Sequence, residues 1–150
     1  MLEPAPAQAQ IPPGCSVTEL TGPARLAYAC AGGVLIEAEA AAAMGFAAPG
    51  ALSLEAGAVL IEIPEGHAFQ VRTPHAVAAV RGTLYAVETQ EDVTSVFVLE
   101  GTVAARAVEA GAPTVLLGAG EGIDLHAGAP ASAATWGEAR SQALLARFGR

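Results

Sequence analysis

The chain has 150 residues, 53% of them apolar and 15% charged, which fits one domain with a hydrophobic core and excludes disorder, where charge is high and apolar content low. Its seven basic residues are all arginine and stand against 15 acidic ones, a net charge of −8; that balance argues against nucleic-acid binding and against docking on anionic membranes. No run of about 18 apolar residues is free of charges and turn formers, so no membrane insertion is predicted.

Residues 1–14 hold four prolines and three alanines with no periodicity and read as a lead. The stretch APAQAQ resembles the small-residue end of an export signal, so residues 1–14 are expected to be a signal remnant or a start placed inside one. Cys15 and Cys30 are then either two buried thiols or, in an oxidising periplasm, a disulfide. Such a bridge would stabilise by roughly 3 kcal/mol in the chain-entropy picture. The runs RLAYAC and VLIEAEA flank Gly32-Gly33 and read as a hairpin. AEAAAAMGF is compatible with a helical turn or with a strand leading into a loop.

From residue 51 the pattern is β. ALSLEAGAVLIEIPEG reads as strand, turn, strand, stopped by Pro64 and Gly66. In HAFQVRT the residues His67, Phe69, Val71 and Thr73 face one way, and Ala68, Gln70 and Arg72 the other. AVAAV and TLYAVE flank Gly82. TSVFVLE is apolar on both faces and should be a central, doubly covered strand. GTVAARAV, PTVLLG and GIDLHAG continue the series. Turn residues recur every 8 to 12 positions, which suggests a sandwich, barrel or β-roll. Gly82, Gly101 and Gly120 are evenly spaced, a cadence that would suit a rolled, solenoid-like coil. Finally, TWGEARSQALLARFGR carries Thr135 and Glu138 at capping-box spacing. It predicts one C-terminal helix over 135–149 packing Trp136 and Phe148 on the β core or on a partner.

The apolar run that ends in Arg81-Gly82-Thr83, and its echo at Glu100-Gly101-Thr102, are the most informative spots. Gly82 permits a positive φ or a close approach. Arg81 lies between apolar strands, so its charge needs a partner; Glu100 or the carbonyls of the adjoining turn are the expected ones, in a pair that specifies register. The alternative is that Arg81 binds a ligand or partner.

These residues carry a resemblance. Val71, Thr73-Pro74, Arg81-Gly82-Thr83, Val96, Val98, Glu100-Gly101, Val103 and Leu117-Gly118, in this order within residues 67–125, resemble the FecR domain, the periplasmic part of the iron-dicitrate transmembrane sensor family. The resemblance implies an all-β, extracytoplasmic domain used for signalling or interaction, with a cell-envelope protein or its own copy as partner, no cofactor, and a framework built on Arg81, Gly82, Thr83, Glu100 and Gly101. The expected organisation is a β-roll or sandwich over 15–130 followed by the helix. The family's anti-sigma segment and transmembrane helix are not seen ahead of the domain, which suggests a stand-alone form.

Chemistry is sparse. His67, His75 and His126 could serve a cupin-like metal-binding barrel, the enzyme alternative, but the spacing of His67 and His75 is not a ligand motif. Solvated or packed histidines are the simpler reading. Ser16, Ser53, Ser95, Ser132 and Ser141 lie in no nucleophile motif. GAGEG (118–122) has no lysine and no helix after it, so it reads as a turn rather than a phosphate loop. Glu91 and Asp92 are adjacent and read as a polar turn. A structural accessory domain without a ligand is the third possibility.

Overall fold

A computed structural model describes residues 14–126, 128–129 and 131–150; the signal-like stretch lies outside them. The architecture follows from two-residue alternation. In β6 (Ala68–Arg72) Phe69 and Val71 are buried while Ala68 and Arg72 are exposed, so one face must be covered. The other strands are β1 (Cys15–Leu20), β2 (Arg25–Cys30), β3 (Leu35–Glu39), β4 (Ala43–Ala48), β5 (Ala51–Glu62), β7 (Ala76–Arg81), β8 (Leu84–Thr89), β9 (Val93–Glu100), β10 (Val103–Ala107), β11 (Val115–Leu117), β12 (Glu121–His126) and β13 (Ala134–Thr135). One helix, α1 (Glu138–Ala146), follows.

The strands form a single 13-stranded curled sheet. Its hinge is β5. The first half of β5 pairs with β4 and, in parallel, with β6; the second half pairs with β3 and β8. One layer therefore runs β1-β2-β3-β5-β8-β9-β12-β13, and the other runs β4-β5-β6-β7-β10-β11. The expected strand-turn-strand over 51–66 is thus one twelve-residue strand. The signal taken for a turn, Gly57, instead lets the strand pass between layers. It has φ +91°, and a Cβ there would lie 2.7 Å from Ala42 Cα. AEAAAAMGF resolves as β3, a short turn and β4.

Inside the curl, Tyr28, Ile36, Leu54, Ile61, Tyr85 and Val98 anchor the main core. Across β9, Phe97 points the other way, into a second cluster with Ala58, Leu60, Ala86, Leu144 and Phe148 under α1. Both faces of β9 are therefore covered, as its continuous apolar run predicts. Gly82, Gly101 and Gly120 all have positive φ, and each sits where the chain crosses from one layer to the other. Their cadence marks the rolling of the sheet. The pairings are nevertheless antiparallel except β5–β6, not the stacked parallel coils of a solenoid.

The helix starts later than its capping-box signal. Thr135 is drawn into the sheet as β13 opposite Glu121, the N-cap is Gly137, and no side chain caps it. Trp136 donates its backbone N–H to Gly120 O at 3.1 Å, which holds the chain extended up to that point.

Candidate functional site

The Arg81-Gly82-Thr83 and Glu100-Gly101-Thr102 turns meet. Thr83 is 2% exposed. Its hydroxyl donates to Thr102 O at 3.0 Å, with Arg81 O a second acceptor at 3.3 Å, while its carbonyl accepts from Ile63 N–H at 2.8 Å. Gly101 (φ +91°) packs against this junction so closely that a Cβ would lie 2.7 Å from Gly82 O and 3.0 Å from Thr83 Oγ1. Three chain segments are thereby clasped by one hydroxyl and two glycines.

The charges that frame the motif do not take part. Arg81 and Glu100 are both exposed and form no ion pair with each other among the described residues. The expected pair is corrected for a reason of parity and layer. β7 points Ala76, Ala78 and Val80 inward and turns Arg81 to water opposite Ala68, whereas Glu100 lies opposite Leu84 on the other layer. A guanidinium in water needs no counter-ion.

A second clasp went unread in the sequence. Thr73, Thr89 and Thr94 are all buried; Thr94 Oγ1 lies 2.6 Å from Thr73 Oγ1 and 3.0 Å from Thr89 Oγ1. Thr73 Oγ1 also accepts from the backbone N–H of His75 and Ala76, closing the Thr73-Pro74 turn. The β8–β9 register sets Thr94 opposite Thr89, but only the packing of the two layers, absent from a linear sequence, brings Thr94 to Thr73.

The disulfide joins Cys15 and Cys30, which face each other at the end of the β1–β2 ladder. It borders an open groove of about 460 Å³ lined by Val34, Phe46, Pro49, His67 and Phe69. His67 lies against Gly32, where a Cβ would fall 2.7 Å from its ring Cε1. The ring of His75 has Nε2 3.1 Å from Gln90 O, and His126 is exposed at the end of β12. No group of three His, Cys, Asp or Glu residues that could hold a metal exists among the described residues, so the three histidines are not assembled as the cupin-like alternative requires. In GAGEG the Glu121 carboxylate accepts the Gly118 N–H at 2.6 Å, and the loop is the turn between β11 and β12.

The densest polar geometry holds α1 on the sheet. Arg147 bridges Glu39 on β3 and Glu88 on β8. Arg140 donates two hydrogen bonds to Asp124, at 2.5 and 3.1 Å, and its guanidinium lies 3.7 Å from the centroid of Trp136. Trp136 in turn stacks on Phe97 at 4.9 Å. Ser95 donates to Asp124 at 2.6 Å, so its hydroxyl is a fixed link. The Arg140 hydrogen bond first, helped by Ser95, holds the Asp124 carboxyl below the usual carboxylate range. Arg25 pairs with Glu37 at 2.7 Å. The Arg140 and Arg147 pairings depend on how α1 docks on the sheet and the Arg25 pairing on the β2–β3 register, so none could be read from spacing.

Comparison with known proteins adds the following. The FecR protein family matches residues 33–104, overlapping the sequence motif from residue 67 and reaching further back through β3, β4 and β5. Two crystal structures of a candidate anti-sigma factor from Parabacteroides distasonis ATCC 8503 share the fold. They have TM-scores of 0.67 and 0.66 and 17% and 18% identity, and each match covers 87% of this chain and 64% of that one. This chain thus spans somewhat under two thirds of those proteins. No curated protein matches it.

Proposed function

We propose, from the match of residues 33–104 to the FecR family, that this chain is a non-enzymatic, extracytoplasmic interaction or sensing module of the cell envelope. The observation that carries the reading is the family match over strands whose turns are clasped by Thr83 and Gly101. The clasp makes a rigid platform out of short strands, which suits recognition. The fold shared with a candidate anti-sigma factor supports a regulatory role, and the Cys15–Cys30 disulfide supports an oxidising compartment. The partner is a protein of the envelope.

The test is cross-linking in the native host followed by fractionation. The reading expects the chain outside the cytoplasm, joined to one envelope protein at a stoichiometric level. Recovery from the cytoplasm with no specific cross-link would overturn it.

A further inference from the structure

The two outer faces of the sheet are treated differently. One is roofed by α1. The other, over β5, β6, β7, β10 and β11, has no such cover among the described residues, and its side chains fall into rows set by the ladder. The middle row is Ala51, Gln70, Ala79, Ala104 and Leu116. It holds three alanines and the half-buried polar Gln70, and it ends in the most exposed large apolar side chain among the described residues, Leu116 at 66%. On one side of it, two residues along the strands, lie Arg72 and Arg106, both opposite Val77. On the other side lies Arg81, opposite Ala68. Val77 is 6% exposed and belongs to neither apolar cluster, which leaves the flanking arginine stems as its cover.

Charge sorts the same way. Arg25, Arg140, Arg147 and Arg150 are each in an ion pair with a carboxylate, whereas Arg72, Arg81 and Arg106 make none among the described residues. In an acidic chain the cations without a carboxylate partner are thus gathered on one face. The exposed carboxylates near this face are Glu55, two residues along β5 from Ser53, which lies opposite Arg72, Glu65, packed against Gly82 beside Arg81, and Glu109, just beyond the end of β10.

The dimensions identify an occupant. Five strands at about 4.8 Å spacing give the apolar row a length of roughly 19 Å, matched by about 13 residues of α-helix. The arginine rows stand about 7 Å to either side of it, so they are about 13 Å apart, close to the diameter of a helix with its side chains. We propose that this face docks an amphipathic helix of a protein partner, with a narrow apolar stripe on the alanine row and Leu116 and with carboxylates on both flanks meeting Arg72, Arg106 and Arg81. The inference rests on the interaction role proposed above and names its surface. The roofed face provides the geometric precedent with the charges reversed: there a helix brings arginines to carboxylates on the sheet. An extended polyanion fits less well. A polyanion longer than the face would run past the arginines onto the acidic remainder of the surface, while a helix that ends with the row would not.

The experiment is a titration of the isotope-labelled chain, followed by backbone amide shifts. The probe is a synthetic 14-residue helical peptide with leucines on one stripe and glutamates on both flanks. The expected result is a set of shifts confined to β6, β7, β10 and β11, with affinity reduced at least tenfold in the Arg72→Glu, Arg106→Glu double variant. The milder Arg72→Gln, Arg106→Gln pair should weaken binding less, and the unperturbed amides of both variants report whether the fold is intact. Equal binding of a peptide with glutamine in place of glutamate would overturn the proposal. Binding of phosphatidylglycerol vesicles through the same arginines in place of the peptide would also overturn it. Shifts confined to the groove beside the disulfide would overturn this surface while leaving the interaction role standing.

Discussion

Replacing Gly101 by alanine tests the clasp at its tightest point. At φ +91° a side-chain-bearing residue is strained by about 1–2 kcal/mol. The new Cβ would also stand 2.7 Å from Gly82 O and 3.1 Å from Thr83 Cα. Both are backbone positions, so relief requires the two turns to separate rather than a rotamer to change. Separation removes the Thr83 hydroxyl bond to Thr102 O, a further loss of about 1 kcal/mol. The sum is about 2–3 kcal/mol. At roughly 2–4 °C per kcal/mol for a chain of this size, the melting temperature should fall by about 4–12 °C. Urea unfolding gives the free energy directly, provided the slope is unchanged. Thr83→Val, which keeps the branched shape and removes only the hydroxyl, should cost about 1–2 kcal/mol. A Gly101→Ala protein within 0.5 kcal/mol of the parent would refute the clasp as described.

Other predictions concern the helix, the acid limb and the bridge. A Cβ on Gly122 would fall 2.1 Å from Trp136 Nε1. Gly122→Ala should therefore displace the indole from Phe97 and Arg140, costing about 1–3 kcal/mol, and the loss should be non-additive with Trp136→Ala in a double-mutant cycle; simple additivity would contradict the contact. Because the folded-state pKa of Asp124 is depressed, its contribution to stability is complete above the unfolded carboxylate value near pH 4 and is lost as pH falls through the lower folded value. Asp124→Asn should flatten that part of the acid limb by a modest amount, since the pair is partly exposed; an identical acid limb in the variant would show that the pairing contributes nothing. Among the described residues β1 pairs only with β2, so reduction of Cys15–Cys30 should raise hydrogen exchange mainly over Cys15–Leu20. Loss of protection throughout β8 and β9 instead would place the bridge in the global fold.

The sequence exposed what depends on period and on backbone freedom. Alternation in HAFQVRT placed Phe69 and Val71 inside, the double-faced run at 94–100 placed β9 between two clusters, and Gly82 and Gly101 marked real positive-φ turns. Features that depend on which strands meet were hidden. Gly57 looked like a turn because a glycine between apolar runs has the same local signature whether the chain reverses or merely changes layers. Thr135 and Glu138 had capping-box spacing, yet pairing with Glu121 and the packing of Trp136 over Gly122 held the chain extended past Thr135, so the helix begins only at Glu138. Arg81 was assigned a partner because its neighbours are apolar, but strand parity turns it outward. The Thr73–Thr94 contact and the Arg147 bridge to Glu39 and Glu88 span distances in the chain that only the packing of the layers and of the helix on the sheet closes.

The measurement that tests the central claim most directly is disulfide mapping by mass spectrometry of the chain recovered from its native host, without reductant, from separated cytoplasmic and envelope fractions. The account expects the envelope fraction to hold the protein with Cys15 joined to Cys30. Cytoplasmic recovery with two free thiols would contradict it.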